Sequence, residues 1–322
     1  MAAQSPNFGI LRRGGRRRTG ARLLLGLLLS SSLLSQSCSV KKYAISKLGD
    51  ALAGSGETFA SDPDPELIRD AVPFSLKLIE SLLAESPRHK GLLEAACRGF
   101  TQYSYAFVQQ DADRMEDEDF QAALKIRDRA RGLYLRARDY GLRALEVDHR
   151  GFAAQLKEAP EGALRRITKR ETTGLLYWTA AAWGAAISIS KDRPDLIADQ
   201  PMVEAMIDRA LALDEDWGEG AIHGFLISYE PSRVGAAAGA EERAEEHFRR
   251  AMTLSGGLDA SLLVAYAETV CVARQDRAEF EQRLTQALAI DVDRKPAIRL
   301  SNLIMQQRAR WLLDRTAELF LE

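Results

Sequence analysis

The thiol of Cys38 is the first group in this 322-residue chain whose position suggests a reaction. It follows Arg12, Arg13, Arg16, Arg17, Arg18 and Arg22, which stand without an acidic residue. Next comes the apolar run Leu23–Leu25, Leu27–Leu29, Leu33 and Leu34, and then small polar residues. A basic stretch, a short apolar stretch and a small-residue zone describe a secretory signal. The apolar run of about 12 residues is too short for the roughly 20 that span a bilayer. Residues 1–37 therefore read as a signal peptide that is removed on export. A thiol placed directly behind it can receive a lipid. Leu34-Ser35-Gln36-Ser37-Cys38 resembles a bacterial lipobox, with its Leu four residues ahead of the Cys rather than three and the bulky Gln36 between. Ordinary cleavage near Ser37, leaving an unanchored chain, is the competing reading. Acyl chains contribute about 0.8 kcal/mol per buried methylene, so several would hold the mature chain at a membrane surface. Ser39 after the Cys, where an Asp would resemble an inner-membrane retention signal, favours the outer membrane over the inner, on the periplasmic side.

Other reactive constellations are sparse. Cys97 and Cys271 lie in apolar helical patterns and read as buried free thiols, since two cysteines make no disulfide framework. His89, His149, His223 and His247 are scattered, with no partner at i+3 or i+4 for a zinc site, and read as surface or capping residues. The acidic segment Gln109–Asp119 carries Asp111 and Asp113 but lacks the turn Gly of a calcium loop, so it reads as a solvated connection. No Gly-x-Ser-x-Gly elbow occurs, and Gly235-Ala-Ala-Ala-Gly239 lacks the Lys-Ser/Thr of a phosphate loop. The expectation is a protein that is not an enzyme, with no cofactor and no metal. A cryptic hydrolase would need a polar pocket that no motif announces. Removing residues 1–37 leaves 38 basic against 46 acidic side chains, and a net charge of about −8 argues against nucleic acid as a partner.

Aromatic residues are the remaining candidates. Phe100, Tyr103, Tyr105 and Phe107 crowd one helix, and Tyr177, Trp178 and Trp183 crowd another. Tyr103 and Phe107 are i, i+4 and share a face that Phe100 joins, while Tyr105 points elsewhere. Such rings either pack between helices or line a groove for a ligand. Phe100, Tyr103, Phe107, Tyr177, Trp178 and Trp183 are accordingly the ligand-or-groove candidates. Gly174 and Gly184 flank the second cluster at a cost of about 1 kcal/mol each relative to Ala, which suggests close helix contact there.

The elements that must position these rings are helices throughout. Asp64 can cap a helix that starts at Pro65 and runs to Leu83. Further helices are expected from about Lys90 to Gln109, from Phe120 to Glu146, and around Ala309 to Phe320 as a C-terminal cap. Several share a pattern: Ala137, Gly141, Ala144, Leu145 and Asp148; Val203, Ile207, Ala210, Leu211 and Asp214; Phe280, Leu284, Ala287, Leu288 and Asp291. A small residue, a large one four later and Ala-Leu three later is the second-helix half of a tetratricopeptide (TPR) repeat. The expected fold is all-α: stacked antiparallel helical hairpins, with divergent tetratricopeptide-like repeats over residues 61–322 and a lipidated N-terminal segment over 38–60. A plain helical bundle is the alternative.

Several long motifs carry a resemblance: Cys38-Ser-Val-Lys-Lys-Tyr-Ala, Leu48-Gly-Asp-Ala-Leu-Ala, Thr58-Phe-Ala-Ser-Asp-Pro-Asp-Pro-Glu66, Pro73-Phe-Ser-Leu-Lys-Leu-Ile-Glu-Ser-Leu-Leu83 and Gly99-Phe-Thr-Gln-Tyr-Ser-Tyr-Ala-Phe107. Through them the chain resembles the T-component (TatT) family of tripartite ATP-independent periplasmic (TRAP) transporters, and more loosely so to its C-terminus. The resemblance implies a periplasmic lipoprotein that associates with the solute-binding subunit of a TRAP transporter. A ligand held or passed in the interior would be an organic acid or an apolar molecule. Homo-oligomers are compatible with stacked helical faces. The alternative function is a general tetratricopeptide scaffold for envelope protein assembly.

Replacing Cys38 tests the anchor. Cys38→Ala is expected to abolish incorporation of labelled fatty acid and to shift the chain from the membrane to the soluble fraction. Retention of label by the variant would place the anchor elsewhere.

Overall fold

The computed structural model describes residues 1, 2, 47–51, 54, 56–233, 235 and 238–321. Cys38, residues 3–37 and most of the segment 38–60 lie outside the described residues. By internal contacts the chain divides into Met1–Lys47 and Leu48–Glu322, and every helix below belongs to the second unit. Among the described residues there is no strand, so the fold is all-α. No described helix is long and apolar enough to cross a membrane.

The first hairpin joins α1 (Pro65–Glu85) to α2 (Lys90–Tyr103). Asp64 caps α1 by accepting from the Glu66 and Leu67 amides, with Pro65 in the first turn, as its sequence leads one to expect. His89 starts α2 in the same way, its Nδ1 accepting from the Leu92 amide at 3.3 Å. Its Nε2 lies 3.4 Å from Asp50. The helix beyond α2 does not run evenly to Gln109. It widens into a π-helical turn at Ser104–Gln109 and tightens again as α3 (Gln110–Met115). The acidic segment is thus largely helical, and Asp119 caps α4 (Phe120–Asp148) by accepting from Ala122.

The array continues through α5 (Thr173–Ser188), α6 (Gln200–Leu213), α7 (Ala221–Tyr229), α8 (Ala240–Ser255) and α9 (Ala260–Tyr266). A second π-helical turn, Ala267–Cys271, follows α9 directly. The last principal helices are α10 (Arg277–Leu288) and α11 (Arg299–Asp314). A short helix, Thr316–Leu319, ends the run, so the expected C-terminal helix begins about ten residues earlier than its apolar pattern indicates. Neighbours in sequence pack as hairpins, and alternate helices also touch: α2 meets α4 and α5, and α9 meets α7, α10 and α11. Two large apolar cores result. One centres on Leu92, Leu93, Leu145, Leu176 and Met206, and the other on Phe248, Tyr266, Phe280 and Leu284. Cys97 and Cys271 are free thiols inside these cores, and burial pushes each up to about 12, leaving them unreactive.

Close approach in the first core depends on Gly141 of α4. A Cβ there would overlap the Thr179 side chain on α5, whose hydroxyl donates to the Leu175 carbonyl and lies 4.0 Å from Cys97 Sγ. Gly132, earlier on the same helix, has nothing within 4 Å of the place a Cβ would take. Gly141→Ala is therefore expected to destabilise by about 1–3 kcal/mol through overpacking. Gly132→Ala should stabilise by about 0.5–1 kcal/mol through helix propensity. Urea unfolding of both variants checks the pair, and equal effects would contradict this packing.

Candidate functional site

Both π-helical turns converge on one buried cation. A π turn adds a residue to the helical repeat and re-aims the side chains that follow, which is why such turns are frequent at functional sites. The turn after α2 carries Tyr105 and leads into Asp113 on α3. The turn after α9 carries Glu268. Between them lies Arg308 of α11. Its guanidinium forks onto Glu268, with Nη2 donating to Oε1 at 2.7 Å and Nε to Oε2 at 2.9 Å, while Nη1 donates to Asp113 at 3.0 Å. Burial alone would lower the Arg308 pKa. Glu268, then Tyr105 and Asp113, outweigh it and raise the pKa above the ordinary arginine range. Further contacts of the same kind join α11 to the N-terminal hairpins. Arg315 lies 3.2 Å from Asp117, and Arg299 donates to the Ser61 carbonyl at 2.8 Å.

Tyr105 stands beside the same charge cluster. Its ring is 41% exposed, yet burial pushes the phenol up to about 12, with Arg308 opposing and Glu268 and Asp113 assisting. The ring is thus partly open to solvent beside the charge cluster. The hydroxyl lies 4.0 Å from Met305 Sδ on α11. Tyr177 of α5 is raised by burial, then by Asp259 and Tyr105. Asp259, which caps α9 by accepting from the Ser261 amide and hydroxyl, is raised chiefly by burial. The wall around Tyr177 is aromatic: Trp217 at 4.8 Å between ring centroids, Trp178 at 4.9 Å and Phe225 at 6.5 Å. Gly174 makes room for this wall, because a Cβ there would meet the Trp217 ring at 2.9 Å.

The six sequence candidates separate into two environments. Phe100, Tyr103 and Phe107 share a face as their spacing indicates, with Tyr103 and Phe107 rings 5.7 Å apart. That face is roofed by arginines: Arg136 over Phe100 and Arg69 over Phe107 at 5.0 Å, and Arg129 over Tyr103 at 5.9 Å. Phe100 and Phe107 are each 4% exposed and Trp183 likewise, so these rings pack in the cores. Tyr177 and Trp178 are half-buried in the aromatic wall. Tyr105, which the helical reading turned away from the cluster, is the partly exposed ring beside Arg308 and Met305. Trp217, Phe225, Asp259, Glu268 and Arg308 join the site without a sequence signal that singles them out. The acidic segment is also more than a solvated connection. Asp111 holds Arg69 in a two-bond fork, and Asp113 serves Arg308 and, at 3.8 Å, Arg127. Among the described residues no group of three or more His, Cys, Asp or Glu is arranged to hold a metal ion.

Residues 61–320 match the family of the TRAP transporter T-component. A protein of Treponema pallidum (strain Nichols), described as an uncharacterized protein, is 30% identical over 313 residues, spanning 91% of this chain and 96% of its own length. The chain belongs to the TRAP transporter T-component family, so it is an accessory of a transport system.

Arg308→Gln should leave Glu268 and Asp113 without their cation. Both carboxylates are partly open, so the loss is expected near the lower end of the about 3–5 kcal/mol that breaking a buried pair costs. Arg308→Lys, which keeps the charge and loses the fork, should recover part of it. Urea unfolding of the two variants checks this, and wild-type stability in Arg308→Gln would contradict it.

Proposed function

We propose that this T-component is a non-enzymatic, lipid-anchored periplasmic subunit that docks the solute-binding subunit of its TRAP transporter and holds or passes the transported ligand in a recess beside Tyr105. Family membership over residues 61–320 supports a role in transport. The observation that carries the ligand reading is the half-buried aromatic group at Tyr177 together with the partly exposed Tyr105. Rings of Tyr177, Trp178 and Trp217 offer apolar walls, and the hydroxyls of Tyr105 and Tyr177 offer hydrogen bonds. Pockets with this mixture of mostly apolar lining and a few placed polar groups suit small organic ligands. Arg308 already carries two carboxylates, so an organic-acid head would meet phenolic hydroxyls there while its carbon skeleton lay against the rings. Lipid at Cys38 would confine the protein to the outer-membrane surface. Two anchored or docked partners then meet at a raised effective concentration.

Affinity purification of the anchored chain from its native membranes, after mild crosslinking, tests the docking. A periplasmic solute-binding subunit is expected in near-equal amount. Recovery of envelope assembly factors in its place would contradict the transport reading and favour the scaffold.

A further inference from the structure

The seam between α7 and α8 is pinned at both ends. At one end Gly220 has φ 97, and a Cβ there would come within 3.0 Å of the Ala251 Cα. At the other, the buried carboxylate of Glu230 receives Arg233 and Arg243, each at 2.6 Å. Between these pins His223 is only 6% exposed, and its Nδ1 lies 2.8 Å from Nδ1 of His247. The two rings are 5.1 Å apart between centroids. The pairing corrects the expectation that all four histidines are surface or capping groups.

Two Nδ1 atoms at hydrogen-bond distance need one proton between them. Two N–H groups would repel, and so would two lone pairs. The surroundings decide which ring supplies it. Nε2 of His223 is buried with no hydrogen-bond partner among the described residues. Nε2 of His247 lies 4.0 Å from a Glu230 oxygen. A proton on His247 Nε2 is attracted to that carboxylate, whereas one on His223 Nε2 would be sealed without an acceptor. His223 therefore donates from Nδ1, and His247 accepts at Nδ1 while its own N–H faces Glu230. An added proton has two places to go. On His223 Nε2 it would be a buried charge without an acceptor, and on His247 Nδ1 it would end the bond between the rings.

We infer that His223 and His247 form a proton switch, closing the α7–α8 seam while the rings share one proton and releasing it when each ring carries its own. The charged neighbours on every side are already engaged and offer a second proton little shelter. Glu215 and Asp216, in the turn before α7, hold Arg250 of α8 at 2.6 and 2.8 Å. Glu230 holds Arg233 and Arg243, and Glu246 stands beside His247 on α8. Burial, the largest influence, holds both imidazoles below the ordinary histidine value. The charge of His247 adds to this at His223, and Glu230 and Glu246 oppose it at His247. The sign follows from linkage. As pH falls through about 6.5 the unfolded chain takes up protons before the folded one does. Stability from the pair is thus full above that pH and is lost on acidification. The seam also carries part of the aromatic wall. Phe225 of α7 packs on Gly184, and Trp217 lies in the turn before α7. Release of the seam would therefore reach the aromatic wall.

The test uses the full chain labelled with 15N-histidine. Long-range 1H–15N spectra at pH 8 should show the Nδ1–H tautomer for His223 and the Nε2–H tautomer for His247. Both rings should then titrate together, well below pH 6.5, with loss of amide protection along α7 and α8. Independent titration near pH 6.5 with protection unchanged would overturn the switch, as would the Nε2–H tautomer at His223. In parallel, the wild-type Tm should fall more steeply between pH 7 and 5 than the Tm of His247→Gln. Equal slopes would count against the inference. If that variant does not fold, the wild-type spectra decide alone.

Discussion

The fork from Arg308 to Glu268 and Asp113 is the contact on which the arrangement of the helices turns. It spans 195 residues of sequence to Asp113 and brings the last long helix onto the first hairpins. A cation this deeply placed is costly unless its hydrogen bonds are filled, and unpaired carboxylates beside it would be costly too. The three charges are stable only together, so α3, the turn after α9 and α11 must meet at one point. Apolar packing already joins the two ends, since Ile68 and Phe107 share a core with Ile304 and Met305, and the charge cluster adds a directional contact to that closure. Arg315 with Asp117 and Arg299 with the Ser61 carbonyl repeat the closure along α11.

The two π-helical turns are the local adjustment that this closure requires. Regular α-helix through Ser104–Gln109 and Ala267–Cys271 would send the following side chains to other sides of their helices. The widened turns bring Glu268 onto the arginine and leave Tyr105 partly exposed beside it, while Tyr103 and Phe107 pack together on another face. That face is covered by Arg69, Arg129 and Arg136 lying over the rings, a use of arginine that excludes water from apolar surface while keeping the charge wet. Tyr105 stays partly open to solvent, and in a family of transport accessories its surroundings are where we propose that a ligand is held. The histidine pair joins α8 to α7, the helix that carries Phe225, and adds a proton-sensitive contact there.

Much of the helical framework was legible because its signals are local. Asp64 with Pro65 announces the start of α1, Asp119 caps α4, and Ser86-Pro87 ends the first helix where expected. The all-α class follows from Ala-rich helical periodicity with no strand pattern. The spacing of Tyr103 and Phe107 also placed them together correctly. What the sequence hid is non-local or conformational. A π turn adds one residue without changing composition, so Tyr105 could not be aimed by counting in steps of 3.6. Arg308 is one arginine among many until the fold sets it beside acids on distant helices. His223 and His247 are 24 residues apart on neighbouring helices, and their contact depends on Gly220 letting those helices approach. The acidic segment looked solvated for the same reason, since its arginine partners come from elsewhere in the chain.

Closure of the two ends is the claim on which the recess, and with it the ligand reading, depends. It is tested most directly by a short thiol-specific crosslinker applied to the folded chain carrying Asp117→Cys together with Arg315→Cys. These positions lie at the outer edge of the arginine cluster, and the native thiols Cys97 and Cys271 are buried. Rapid crosslinking within one chain, lost on unfolding in urea, is the result the closed arrangement predicts. Failure of the two thiols to link in the folded protein, with each still reacting singly, would mean that the array is open and that Arg308 does not join its ends.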